Sequence, residues 1–266
     1  MSAARGGWQS VPCRGETMIG TAAAGVIGVS ILVTSFISGV FGMAGGLILL
    51  GILLVFLDVA PAMVLFGIIQ LGANGWRAVL WRRLVDWPIV ARYLVGACAA
   101  FMMMRLISFV PDKAVVYLLL GVLVFAADLL PKRLTPDITR PGAPPIAGLI
   151  VMTLQLVAGA AGHILDLFFQ KSLLDRRVVV ATKAVCQTFG HVARIAYFGT
   201  FAAAWDTPLP MWQYVIAVAL ALIGTSVAAK VLLGMTNEGF RRWSRWIVVG
   251  ISIVYLIRGA WLLISR

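Results

Sequence analysis

The chain has 266 residues, 61% of them hydrophobic and only 12% charged, and its formal net charge is +12. So few charges could not cover the surface of a soluble domain this apolar, so the composition excludes a soluble protein. It also argues against nucleic-acid binding, because the lysines and arginines cluster in short loops between apolar runs, where the positive-inside rule explains them. The apolar runs are continuous, which predicts membrane helices rather than the alternating strands of a barrel.

The first half of the chain predicts five membrane segments behind an N-terminal tail over residues 1–17. Arg5 and Arg14 precede the first apolar run, but no cleavage pattern of small residues follows, which predicts an uncleaved first helix. The second segment is short for a full crossing and follows a Gly-rich stretch from Ser38 to Gly46, which indicates a hairpin or a broken helix. The five predicted segments are 18–38, 44–57, 60–81, 87–109 and 113–130.

The second half repeats this pattern after a basic linker over residues 132–144. We therefore divide the chain into two membrane repeats, 18–131 and 145–266. The first two segments of the second repeat are short and meet at another Gly-rich turn, from Ala158 to His163. The five predicted segments of this repeat are 145–158, 162–174, 178–199, 211–234 and 245–264.

A shift of 117 residues places the two repeats in gapless register. Apolar matches mean little in so biased a composition, but polar residues are scarce, so their coincidence indicates an internal repeat. The matched polar residues are Asp58 with Asp175, Gln70 with Gln187, and Arg77 with Arg194. Because each repeat has an odd number of segments, we expect the two repeats to be oppositely oriented, an architecture common in secondary transporters.

Loop charge predicts which side of the membrane each loop faces. Four loops rich in lysine and arginine fall on one side when the segments are counted, and we expect this side to be the cytoplasm. They contain Arg82 and Arg83; Lys132, Arg133 and Arg140; Lys171, Arg176 and Arg177; and Arg241, Arg242 and Arg245. Arg5 and Arg14 then lie outside with the C-terminus, unless the first two segments cross as one bent helix and place the N-terminus inside.

Polar residues follow one face of the third segment in each repeat. They recur at helical spacing, within about 80° of one another around the axis. The stripe of the second repeat is Lys183, Gln187, His191 and Arg194. Its counterpart in the first repeat is Phe66, Gln70, Asn74 and Arg77 at the same spacing, all polar except Phe66. Charge along a membrane helix must face a cavity or a partner, and arginine can hold a sulfonate or carboxylate with two parallel hydrogen bonds. The stripes therefore predict an anion site near the midplane.

The Gly-rich turns add candidate residues to this site. A helix that begins inside the membrane has free backbone N–H groups and a favourable dipole for an anion, and glycine lets the ligand approach closely. The candidates are Gly42, Gly45, Gly46, Gly159, Gly162 and His163.

Each candidate also has a structural interpretation. Arg77 and Arg194 lie near segment ends and could extend to the membrane interface. The glutamines and Asn74 could hydrogen-bond between helices, and His191 could be an ordinary core histidine. His163 fits packing or local hydrogen bonding better than a direct role. These alternatives stay open, although both repeats place an arginine within a polar stripe.

Asp166 and Lys183 occupy positions that hold Leu49 and Phe66 in the first repeat. Gaining both charges together is what an ion pair requires, because either charge alone in a membrane is expensive. The pair could fix helix orientation, or it could couple transport to protons. His191 is a second candidate for carrying a coupling proton.

Three short stretches carry a resemblance to a known family: Ser38–Gly46, Trp81–Trp87 and Leu174–Lys183. On these motifs, and in repeat layout over nearly the whole chain, the sequence resembles the sulfite exporter TauE/SafE family. The resemblance implies a multi-pass permease of the bacterial inner membrane that exports anions such as sulfite or organosulfonates. The second Gly-rich turn departs from the family pattern, because Gly162-His163 stands in place of a Gly pair and the usual proline after it is missing.

We expect alternating-access transport of a small anion by a chain surrounded by membrane lipid, with no nucleic-acid partner. An uncoupled anion channel, a non-transporting partner subunit and a homodimeric assembly stay open. We expect no enzymatic activity, because the sequence lacks His-Glu-x-x-His and Gly-x-Ser-x-Gly motifs. No cofactor or metal is expected either, since the three cysteines, Cys13, Cys98 and Cys186, lack metal-ligand spacing.

Overall fold

The structure, a computed structural model, describes residues 21–41, 44–129, 135–200, 211–234 and 237–265. Within these residues every regular element is helical, as the sequence predicts. The helices in chain order are α1 (Thr21–Phe41), α2 (Ala44–Phe56), α3 (Val59–Leu80), α4 (Trp87–Ile107), α5 (Lys113–Leu129), α6 (Ala143–Val157), α7 (Gly162–Phe169), α8 (Arg176–Phe198), α9 (Met211–Gly234) and α10 (Asn237–Ile264). A 3₁₀ turn, Arg82–Leu84, joins α3 to α4.

Helix length and apolar composition identify a multi-pass membrane protein. Four stretches of the described chain are long and apolar enough to cross a bilayer: α3, α4, Met211–Ala228 of α9 and Trp246–Ile264 of α10. Shorter apolar helices accompany them in α1, α2, α5 and α6. α8 is 23 residues long but carries lysine, histidine and arginine between its ends, so it needs other helices around it.

Three predicted segments differ from the helices, and one of them is the last, because α10 begins at Asn237 rather than near residue 245. α1 continues past residue 38 to Phe41, because Gly39 packs against α9 and does not begin the turn. α7 ends at Phe169 rather than near residue 174. The chain after it turns through Ser172, whose hydroxyl donates to the Phe169 carbonyl at 2.8 Å, before Asp175 caps α8 by accepting from the Arg177 N–H at 2.8 Å.

Glycines bring two helix pairs into backbone contact. In the α4–α6 pair, a Cβ on Gly148 would lie 2.8 Å from the Ala97 nitrogen, and one on Gly96 would lie 2.9 Å from the Leu149 nitrogen. The α1–α9 pair has the same arrangement, with Gly39 on α1 and Gly224 on α9. Small residues permit this approach, and close packing is what holds helices together where lipid removes the hydrophobic drive.

The central pair, α3 and α8, runs antiparallel. Gly67 near the start of α3 packs against Ile195 near the end of α8, and Gly75 faces Thr188 further along. Beyond α3, the Asp86 N–H donates to the Thr182 hydroxyl at 3.0 Å, near the start of α8. The third helices of the two predicted repeats therefore cross the core in opposite directions.

α1 and α2 form a hairpin instead of one bent helix. A Cβ on Gly45 would touch the backbone of Thr34 and lie 2.7 Å from the Ser38 side chain. In a continuous helix, positions 34 and 45 would be roughly 16 Å apart along the axis. The chain therefore reverses between α1 and α2, and the bent-helix alternative, which placed the N-terminus inside, is wrong. Gly42 of this turn lies outside the described residues.

Basic loops meet at one end of the helix bundle. The bond from Asp86 to Thr182 places the α3–α4 loop beside the start of α8. The Ile138 N–H donates to the Phe168 carbonyl at 2.8 Å, which brings the linker to the same end. At the opposite end, Lys113 pairs with Asp58 at 3.0 Å. The side chains of Arg241 to Arg245 lie outside the described part of the chain, so the fourth basic loop stays a prediction.

We expect impermeant maleimide to distinguish the two ends in spheroplasts of a variant whose three natural cysteines are serines. Asp112→Cys and Ser265→Cys, both at exposed positions, should react from outside. Arg83→Cys and Arg140→Cys, equally exposed, should react only after permeabilisation, because we expect the basic end to face the cytoplasm. Reaction of both groups before permeabilisation would contradict this topology.

Candidate functional site

The polar stripes of α3 and α8 meet in a continuous line of side chains, which we call the polar chain: Arg77, Asn74, His191 and Arg194. Arg77 Nη1 donates to Asn74 Oδ1 at 3.3 Å. Asn74 Nδ2 lies 3.3 Å from His191 Nε2, and His191 Nδ1 lies 3.5 Å from Arg194 Nη1. Asn74 and His191 are 6% exposed and Arg194 is fully buried, so the line runs through the core of the bundle.

The two residues at the centre of the polar chain are mates in the predicted repeat. Asn74 and His191 are separated by 117 residues, which is the shift that aligns the two repeats. Arg77 and Arg194 stand three residues beyond them on their own helices, and each contacts its own central residue. The two halves of the polar chain are thus equivalent in position but differ in chemistry at the centre, an amide facing an imidazole.

Arg194 is held by backbone carbonyls at the end of α6. Its Nη2 donates to the Gln155 carbonyl at 3.1 Å and also to the Gly159 carbonyl. The last carbonyls of a helix lack partners within it, so a buried guanidinium satisfies them. Gly159 has φ +87°, a left-handed conformation that glycine adopts without strain, and it turns the chain there. The guanidinium also lies 4.9 Å above the Phe66 ring.

Arg77 has different surroundings. It is half-buried. Its positive charge is close enough to that of Lys183 for the two to repel each other. Lys183 in turn forms an ion pair with Asp166 of α7. The structure therefore brings together the acid and base that distinguish the second repeat from the first. Their side chains are 20% (Lys183) and 35% (Asp166) exposed, so the pair is partly reached by solvent.

The remaining candidates divide into near and peripheral positions. Gly46 lies next to the Gln70 side chain, since a Cβ there would be 3.0 Å from Nε2, and Gly45 packs on α1. Gln187 is half-buried on α8, one turn from His191. Gly162 and His163 form the half-buried first turn of α7. Gly45 thus serves helix packing, whereas Gly46 and Gly159 adjoin side chains of the stripes.

Sequence reasoning missed one residue beside the polar chain. Gln155 lies on α6, is 5% exposed, and supplies a carbonyl to Arg194. Its signal in the sequence was a single amide inside an otherwise apolar segment. An amide in a membrane helix indicates a hydrogen-bonded contact with another helix or a ligand, as a charged side chain does, because it too needs a partner.

Apolar helices around a buried line of arginine, asparagine and histidine are typical of membrane transport proteins. The family model described as "Sulfite exporter TauE/SafE" matches residues 26–256 of the 266-residue chain. The protein therefore belongs to the TauE/SafE sulfite exporter family, a family of membrane anion exporters. No curated protein and no solved structure matches the chain.

We expect Asp166→Asn and Lys183→Met each to lower the free energy of unfolding by about 1–3 kcal/mol. This is less than the about 3–5 kcal/mol for a fully buried pair, because both side chains are partly exposed. The double variant should lose less free energy of unfolding than the two single variants together, since neither charge is left without its partner. Thermal unfolding of the purified variants measures this, and additive losses would show that the two residues do not interact.

Transport by the double variant separates the two roles of the pair. If it folds well but its transport no longer responds to a proton gradient, the pair couples transport to protons. If proton dependence is unchanged in reconstituted vesicles, the pair only fixes the position of α7 against α8.

Proposed function

We propose that the protein is a secondary transporter that exports small anions, such as sulfite or organosulfonates, across the bacterial inner membrane by alternating access. The observation that carries this proposal is the polar chain, in which two arginines flank Asn74 and His191 within the bundle. Arginine supplies strong, charge-assisted donors to an anion. The family match supports the substrate class.

The helix contacts support two inverted repeats, α1–α5 and α6–α10. Moving five helices along the chain exchanges the α4–α6 pair with the α9–α1 pair, and both crossings contain one glycine from each helix. The same operation maps the α3–α8 and α5–α10 pairs onto themselves. A pseudo-twofold axis between α3 and α8 would also explain why Asn74 meets its own repeat mate.

Alternating use of the two arginines follows from this arrangement. Because α3 and α8 run antiparallel, Arg77 lies toward the basic end of the bundle and Arg194 toward the opposite end. An anion that enters from the cytoplasm would first meet Arg77 and leave past Arg194. The two central residues would then offer hydrogen bonds at the midpoint of the path.

An uncoupled anion channel is the second candidate function. An open channel keeps its polar lining in contact with water, whereas Asn74, His191 and Arg194 are at most 6% exposed. Such closure favours a transporter that opens to one side at a time. A transport measurement at several anion and proton gradients separates the two functions.

We expect Arg77→Gln and Arg194→Gln each to weaken anion transport at least about 30-fold, which corresponds to about 2–5 kcal/mol for a lost charge-assisted bond. Anion efflux from reconstituted vesicles measures this. Arg77→Gln is the cleaner test, because Arg194 also satisfies buried carbonyls of α6.

Arg92→Gln is the matched control. Arg92 is an exposed arginine on α4, so its loss should leave transport and thermal stability unchanged. Normal efflux by the Arg77 and Arg194 variants, at both low and saturating anion, would place the anion site elsewhere.

A further inference from the structure

At the Arg194 end of the polar chain, two buried hydrogen-bond donors have no partner within the described structure. One is Nε of Arg194 and the other is the side-chain nitrogen Nε2 of Gln155. Arg194 is 0% and Gln155 5% exposed. A buried donor without an acceptor costs free energy, so two such donors on touching residues indicate that something else supplies the acceptor.

α6 and α8 bring the two residues that carry these donors into contact. The Gln155 carbonyl accepts from Arg194 Nη2 at 3.1 Å, so the residues are in direct contact. The Gln155 side chain lies against Gly190, which is one helical turn before Arg194 on the same face of α8. A Cβ on Gly190 would lie 2.9 Å from Gln155 Cδ and 3.0 Å from Oε1. The missing side chain at position 190 thus creates the space that the amide occupies.

We propose that the Gln155 amide and the Arg194 Nε–H together form an oxyanion-binding site at the outer end of the polar chain. This inference rests on the anion transport proposed above and adds to it a residue and a ligand geometry. Both unpartnered atoms are donors, so the ligand must present acceptor oxygens close together, as sulfite or a sulfonate group does. The Phe66 ring covers a face of the guanidinium, which leaves its edge for the anion.

A purely structural Gln155 makes a different prediction. Gln155→Met keeps the length of the side chain, and Nε2 has no partner within the described structure to lose. If Gln155 were purely structural, this change would therefore leave anion affinity unchanged. The proposed site instead predicts that Gln155→Met weakens binding of sulfite and of ethanesulfonate at least about tenfold, as expected for a hydrogen bond to a charged group. Calorimetry on the full chain in detergent, with sulfite kept under nitrogen, measures both dissociation constants.

Gly190→Ala tests the same site without changing any donor. The new Cβ would push the flexible Gln155 amide away and should weaken binding of both anions by a similar factor. Gly75→Ala is the matched control in the same α3–α8 region, because its Cβ would meet only Thr188 Cγ2 at an ordinary 3.9 Å. Both changes raise helix propensity, so a difference between them reports the displaced amide.

A double-variant comparison completes the experiment. In a Gln155→Ala background the amide is already gone, so Gly190→Ala should weaken anion binding no further. Equal losses from Gly190→Ala in both backgrounds, or unchanged affinity in Gln155→Met, would overturn the proposed site. If those results occur while Arg77→Gln and Arg194→Gln still abolish transport, the anion transporter stands and only the role of Gln155 fails. If wild-type protein binds neither anion, both proposals fail.

Discussion

A guanidinium buried among apolar helices is the constraint on which this structure depends. Arg194 is fully removed from solvent, and desolvating a charge costs far more than a single hydrogen bond returns. The described contacts give it two backbone carbonyls, an aromatic face and an imidazole nitrogen rather than a carboxylate. Each stabilises positive charge without cancelling it, as the proposed anion site requires.

These contacts require particular backbone geometry. The carbonyls are available because α6 ends at Val157 and the chain turns at Gly159, which has a left-handed conformation. Gly67 lets α3 approach α8 at the level of Arg194, where a Cβ would lie 3.6 Å from Arg194 Cδ. Helix termination, glycine placement and charge burial are therefore linked. A larger residue at Gly67 would crowd Ile195, the neighbour of Arg194, and one at Gly159 would strain the turn whose carbonyl accepts from Arg194.

The sequence predicts much of this arrangement, for identifiable physical reasons. Continuous apolar runs locate most helix ends to within a few residues, and helical spacing places Arg194 and His191 on one face of α8. The ion pair of Asp166 and Lys183 follows from the cost of a lone charge in a membrane. The contacts of Arg194 with α6 could not be predicted, because they depend on which helices cross. The same crossing places the Gln155 carbonyl against Arg194 and leaves no room for a side chain at position 190.

The two repeats use different chemistry around equivalent arginines, and this difference limits the charge at the centre. Arg194 faces the neutral ring of Phe66. Lys183, which matches Phe66 in the predicted repeat, instead places a second positive charge near Arg77. A second lysine in place of Phe66 would add a cation beside a fully buried one, at a cost no described carboxylate offsets. The ammonium that is present has Asp166 as its counter-ion. Two guanidinium charges are then left without a fixed counter-charge in the polar chain. They form a positive region along the axis that costs free energy when no anion offsets it, and that the oxyanion proposed above would neutralise by binding.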